Sequence, residues 1–288
     1  MQIFKALGVF ILIAVTFSCE RDVINIVDGN QPPPDSTVSY QQRDRYIERV
    51  YITVLGRKPD SAEHANARLV IDQDPWDQTV RYNWLQTTMQ SRDVSVKRWD
   101  DVRSELLEGV DTTAVGILIQ SLETILMGSP AEQRPAIRAE IDKLERILFA
   151  TDSLHQGVYS VRDLHLHAVN NAIYDDINMG AENFVVSVFD HFLYRYPTQF
   201  ELDAAKRMVE GFQDVLFLQN GSTKDDFLGI FFTSDAYAEG QIRYVYLNYL
   251  FREPTTTELQ TEKARYQIDY DFKALQSRIL TSDEYFTI

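Results

Sequence analysis

The stretch Tyr46–Glu63, YIERVYITVLGRKPDSAE, constrains the fold most, because its pattern returns at Phe184–Leu202 and Gln241–Leu259. The three copies share aromatic–x–x–(Val/Phe/Tyr)–Leu–x–Arg–x–Pro–(Asp/Thr)–x–x–Glu, with Arg57, Arg195 and Arg252 in register. Pro59, Pro197 and Pro254 align next, then Glu63, Glu201 and Glu258. Before each Arg the apolar residues keep helical spacing: Ile47, Val50, Tyr51, Val54 and Leu55 make one stripe, and Ile242, Val245, Tyr246, Tyr249 and Leu250 another. Proline then ends the helix, since the residue before it is pushed out of the α region. Asp60-x-x-Glu63, Thr198-x-x-Glu201 and Thr255-x-x-Glu258 read as capping boxes opening a second helix. The unit is helix, proline corner, capped helix. The Arg is expected to serve the last carbonyls of the first helix and lie near the Glu of the next. The apolar neighbours Leu55, Leu193 and Leu250 place it partly buried, with similar effects on stability at Arg195 and Arg252.

A later element also repeats. FFTSDAY at Phe231–Tyr237 matches ILTSDEY at Ile279–Tyr285, with Ser91-Arg-Asp a fainter version, so Ser234 and Ser282 are expected to N-cap short helices. The helix after Ser234 runs through Glu239 and Gly240 into the third copy, which makes copies two and three tandem and packed together.

These residues resemble bacterial helical repeats of unknown function with a Tyr-x-x-hydrophobic-Leu-Gly-Arg-x-Pro-Asp signature, themselves similar to phycobilisome-linker domains. Leu55-Gly56-Arg57-Lys58-Pro59-Asp60 carries the resemblance best. The other copies, with Tyr194 and Phe251 at the Gly position and Thr for Asp, look more like a related motif of bacterial envelope proteins. The resemblance covers about half of the chain. It implies an envelope location and an assembly role, and supplies no catalytic residue.

Met1–Ser18 reads as a signal peptide: Lys5, then an apolar run over Ala6–Val15. Cys19, the only cysteine, follows directly and resembles the lipidated residue of a Bacteroidetes-type lipoprotein, with Thr16 where Leu is usual. Residues 19–39, with Gln31-Pro-Pro-Pro, form an extended tether. The expected organisation is then a first repeat unit over 40–108, a helical insert over 109–180 and two further units over 181–288. Trp76, Trp84, Leu85 and Trp99 are assigned to the core of the first unit. Ala114–Met127 and Ala131–Phe149 are expected to form a helical hairpin. Strand-like runs are scarce, Val215–Leu218 being short and ambiguous, so the fold is all-α.

A formal charge of −15 argues against nucleic acid as a partner and against peripheral binding to anionic lipid. His155, Asp163, His165 and His167 are the candidates for a metal site. On a helix, residues two apart point about 200° from each other, so His165 and His167 are expected not to share a metal. Asp176-x-Asn178-x-Gly180 is read as a turn and helix stop rather than a calcium loop. No Gly-rich phosphate loop, nucleophile elbow or His-Glu-x-x-His pair is present, and no cofactor is expected. The first functional expectation is a lipid-anchored scaffold of the cell envelope, on the outer membrane, binding a protein or glycan partner. The alternative is a carbohydrate-binding lipoprotein of an uptake system. A third is a metal-assisted hydrolase using the histidine segment.

Overall fold

The computed structural model describes residues 38–288; the segment read from the sequence as a signal peptide, Cys19 and residues 20–37 of the expected tether lie outside the described residues. Helix α1 (Tyr40–Leu55) is capped by Ser39 and ends at Gly56, whose left-handed backbone (φ 70°) lets its N–H close on the Ile52 carbonyl at 3.1 Å. Beyond the proline corner α2 (Ser61–Ile71) begins in the expected capping box. Helices α3 (Gln78–Thr88) and α4 (Arg92–Leu106) complete the first unit, with Ser91 capping α4. The hairpin follows as α5 (Thr112–Gly128) and α6 (Arg134–Leu148). Short helices α7 (Ala150–His155), α8 (Val161–Val169) and α9 (Ala172–Ile177) lead to α10 (Ala181–Leu193) and, past the second corner, α11 (Gln199–Val209).

Strands β1 (Asp214–Leu216) and β2 (Gln219–Gly221) pair antiparallel, with Val215 opposite Asn220. This hairpin, turning at Phe217 and Leu218 with φ of 49° and 64°, resolves the ambiguous run as a small β element inside an all-α fold. Then come α12 (Lys224–Phe232) and α13 (Asp235–Val245), which passes without a break into a π-helical turn, Tyr246–Leu250. Past the third corner lie α14 (Thr256–Tyr266), α15 (Phe272–Leu280) and α16 (Asp283–Thr287), with Ser234 and Ser282 capping α13 and α16 as expected.

Two apolar clusters hold these elements together. One gathers α4, the α5–α6 hairpin, α8, α10 and α12 around Phe189, Phe227 and Phe231. The other joins α1, α2 and α3 to α13, α14, α15 and α16 around Tyr46, Trp84, Tyr246 and Phe286. The third corner therefore shares its core with the first, while α10 and α13 still cross closely. A Cβ on Gly240 would lie 1.9 Å from the Phe192 carbonyl oxygen, so only glycine permits that crossing. The ends of α15 and α16 are clasped to α1: the Tyr46 hydroxyl donates to the Leu280 carbonyl, and Arg49 donates to the carbonyls of Tyr285 and Ile288. Arg81, fully buried, donates to the carbonyls of Pro75 and Thr281 and pairs with Asp283.

Trp76 departs from expectation. It sits in the turn between α2 and α3 with 40% of its surface exposed, its ring edge-on to Phe286 at 5.5 Å, whereas Trp84 and Trp99 are core residues. The stretches 40–108, 109–180 and 181–288 all fall in one compact unit. Among the described residues no helix is long and apolar enough to cross a membrane.

Candidate functional site

The repeated motif is a corner lock whose members satisfy one another. Arg57 forks onto Glu63 at 2.7 and 2.8 Å, Arg195 onto Glu201 at 2.8 and 2.7 Å, and Arg252 onto Glu258 at 2.9 and 2.7 Å. Each Glu also accepts the backbone N–H of its N-cap residue, Asp60, Thr198 or Thr255. Each Arg lies over the aromatic ring that opens the motif: Tyr51 at 6.0 Å, Phe189 at 5.4 Å, Tyr246 at 5.2 Å. That ring is a cation–π partner as well as part of the apolar stripe.

Three expectations about this motif change. The helices stop at the left-handed residue before the Arg (Gly56, Tyr194, Phe251), not at Pro59, Pro197 or Pro254. The Arg donates to the carbonyl of the residue after it, that of Lys58, Tyr196 or Glu253, and the left-handed Gly56 and Tyr194 amides serve their own helix carbonyls. The guanidinium side chains are 42%, 42% and 34% exposed, so the lock sits at the surface. The three Arg also differ in their extra partners. Arg252 makes a second fork, to Glu284 at 2.6 and 2.7 Å, and Arg57 reaches Asp93 at 3.3 Å.

The histidine segment is not gathered into a ligand set. His165 and His167 are on helix α8; the His165 Nδ1 meets the Tyr237 hydroxyl at 2.9 Å, and His167 lies against the Tyr159 ring. Asp163 is used in the capping box with Ser160, and His155 is exposed at the end of α7. Among the described residues no three His, Cys, Asp or Glu side chains are grouped to hold a metal. Asn178 and Gly180 (φ 91°) form the helix stop and turn read from the sequence.

Polar groups with few partners converge elsewhere, in a pocket of about 30 Å³ between α4, α8, α10, α13 and α15. The close crossing at Gly240 brings Gln241 into its wall. Gln241 is 2% exposed, and its amide has no hydrogen-bond partner among the described residues. Buried polar groups are nearly always bonded, so an amide of this kind turns to whatever occupies the pocket. Arg98 lies beside it, largely buried, its guanidinium 4.5 Å from the Phe272 ring centre and near the Tyr249 hydroxyl. No carboxylate forms an ion pair with Arg98 among the described residues; Asp101, one turn on, is held by Lys97 at 2.5 Å.

Burial, reinforced by Arg98, pushes the His165 imidazole down to about 3 and keeps it neutral. Burial also lowers His191, whose Nδ1 meets the Tyr174 hydroxyl at 3.1 Å. At the rim, crowding by the walls raises the Glu105 carboxyl, with Asp101 adding to it. Tyr194, in the wall, holds a left-handed φ of 55° that a non-glycine residue adopts at a cost. Arg98 and Phe272 also line a larger cleft of about 610 Å³ with Tyr270, Lys273 and His155.

One local sign of this pocket is legible in the sequence: Gly240 inside a helical run, followed by a polar residue on an apolar face. Among the described residues the molecule is an all-α protein with three surface-locked corners and a small polar pocket. Set against protein-family models, curated proteins and solved structures, the chain matches none.

Proposed function

We propose that this chain is an interaction protein of the cell envelope, anchored by lipid on Cys19 and extended by the residue 19–39 tether, that binds another envelope component through its second corner. One observation carries this reading. The lock is the same at all three corners, yet its surface is not: the second corner displays Tyr194, Tyr196 and Phe200, 42%, 71% and 69% exposed. The corresponding residues are Gly56, Lys58 and Ala62 at the first corner and Phe251, Glu253 and Thr257 at the third. Clustered exposed aromatics mark interaction surfaces, since each ring covers a large area at small cost in conformational entropy.

The test is affinity capture of the lipidated protein from its native envelope, with wild type beside Tyr196→Ala/Phe200→Ala. Loss of a co-purifying component in the variant, at unchanged melting temperature, supports the reading; identical capture overturns it. Cys19→Ala should move the protein from the membrane to the soluble fraction, and retention after a high-salt wash overturns the anchor.

A groove of about 560 Å³ beside α1, α2 and α3 favours saccharide as a second class of partner. Tyr51 and Trp84 lie at its base, with the exposed amides of Asn66 and Asn83 around them. Glycan-array binding that is lost on Asn66→Ala/Asn83→Ala would select that reading.

A further inference from the structure

Helix α5 does not carry the charged outer face that its hairpin partner α6 has. The exposed positions of α6 include Arg134, Arg138, Asp142 and Arg146; those of α5 hold one charge, Glu123, in a chain of net charge −15. Ile117, Ile125 and Met127 stand 59%, 54% and 76% exposed there. At about 100° per residue, Ala114, Ile117, Ser121, Thr124, Ile125 and Gly128 fall in one stripe, away from the buried Val115 and Ile119. Glu123 points about 200° from Ser121 and so leaves the stripe.

The polar groups of this stripe ask nothing of water. The Ser121 hydroxyl donates to the Ile117 carbonyl at 2.9 Å, that of Thr124 to Gln120 at 3.0 Å, and that of Ser129, just past the helix end, to Ile125 at 2.8 Å. Hydroxyls already bonded to their own helix are covered at little cost. A Cβ on Gly128 would meet nothing within 4 Å, so the chain's own packing does not require glycine there. An apolar, internally satisfied face of this kind is a docking surface.

The order of residues along the stripe matches it to itself. Ile117 and Ile125 lie four positions to either side of Ser121, Ala114 and Gly128 seven, and Thr113 and Ser129 eight. Two copies of α5 laid antiparallel with Ser121 at the dyad bring Ile117 level with Ile125 of the second copy, and Ala114 level with its Gly128. That is the self-complementarity a two-fold contact requires. Charge fits the same arrangement. Glu108 and Asp111 stand at the start of α5, and Arg134 and Arg138 at the hairpin turn, all exposed and none in an ion pair among the described residues. Arg103, near the α5 start, is matched by Asp100, and Glu132 at the turn leaves that end net positive. Antiparallel pairing sets the acidic start of one hairpin beside the basic turn of the other, twice by symmetry, whereas parallel pairing sets like against like.

We infer that α5 is the contact of a homodimer in which two copies pair antiparallel about Ser121. A strip of 17 residues, about 25 Å long, is small for a specific interface, so the dimer is expected to dissociate at roughly 10–100 μM. No residue of the second corner takes part, so failure of this inference leaves the interaction reading standing, and the reverse.

The experiment is sedimentation velocity from about 1 to 300 μM on the full chain carrying Cys19→Ala, so that neither lipid nor a native thiol joins two copies. This chain is expected to pass from monomer to dimer across that range. Adding Ile117→Lys/Ile125→Lys, at exposed positions and with an unchanged melting temperature, should weaken dimerisation about tenfold or more. Disulfide trapping reads the register: Ser121→Cys should link to itself, and Ile117→Cys should link to Ile125→Cys in a mixture about fivefold more than either links to itself. A chain monomeric throughout overturns the inference, as does a dimer that survives the two lysines, or Ile117→Cys linking mainly to itself as in a parallel pair. Monomers that bind phosphatidylcholine vesicles, and lose that binding with the two lysines, assign the face to lipid and overturn it too.

Discussion

Arg252→Ala is expected to destabilise the protein more than Arg195→Ala, although the two residues occupy the same motif position. Arg195 makes one fork, to Glu201; Arg252 makes two, to Glu258 and Glu284, the second tying the third corner to α16. The two guanidinium side chains are 42% and 34% exposed, so each pair contributes only about 0.5–1 kcal/mol, far below a buried pair. Loss of the cation–π contact adds roughly 0.5 kcal/mol in either variant. Arg195→Ala should then cost about 1 kcal/mol and Arg252→Ala about 2 kcal/mol, or about 2–4 °C and 4–8 °C in melting temperature for a domain of this size. A double-mutant cycle between Arg252→Ala and Glu284→Gln isolates the second fork, with an expected coupling of about 0.5–1 kcal/mol that shrinks in high salt. Differential scanning calorimetry measures all four proteins. Equal losses at Arg195 and Arg252, or a coupling of zero, refute the assignment of the difference to Glu284.

Gly240→Ala should cost about 3 kcal/mol of stability, read as a sharp fall in the urea midpoint, because the added methyl meets backbone rather than a flexible side chain. Phe251→Gly should raise the melting temperature by about 2–4 °C, since it relieves a left-handed φ of 55° at a residue 72% exposed. The Arg252 fork holds the Glu258 carboxyl down at about 2 against an ordinary 4.5, so its stabilisation is complete above about pH 4.5 and is lost as pH falls toward 2. Melting curves between pH 6 and 2.5 should therefore fall less steeply for Glu258→Gln than for wild type. His165, neutral in the fold down to about 3 but protonated below 6.5 when unfolded, adds a loss of stability that begins below pH 6.5. Nuclear magnetic resonance of its ring at pH 5 should show the neutral form.

What the sequence made legible was local. Asp60 and Glu63, or Thr255 and Glu258, stand three residues apart, and their hydrogen bonds need no distant element, so the capping boxes stood where their spacing put them. The helix stops were misplaced because a left-handed Tyr194 or Phe251 carries no signal of the kind a glycine gives. Trp76 was assigned to the core on size alone. Its place between Asp74-Pro75 and Asp77 sets it in a turn, where a large ring covers the surface of the core rather than filling it. The pairing of the third corner with the first depends on contacts more than 200 residues apart, such as Tyr46 with Leu280. The pocket was illegible for a related reason. Arg98, His165, His191, Gln241 and Phe272 come from five helices, and none is unusual in its own neighbourhood.

The clasp between α1 and α16 sets an order of events for a chain made from its N-terminus. Helix α1 emerges well before its partners: the residues that cover Tyr46 and buttress Arg49 are at 280–288, more than 230 residues later. Joining points this far apart in sequence carries the largest loop-closure cost and makes for slow folding. Until then the apolar face of Tyr46, Ile47 and Trp84 stands uncovered, a surface that invites chaperones or aggregation. A translation product stopped at residue 280 should therefore persist as a chaperone-bound species, even though α1, α2 and α3 are all present in it.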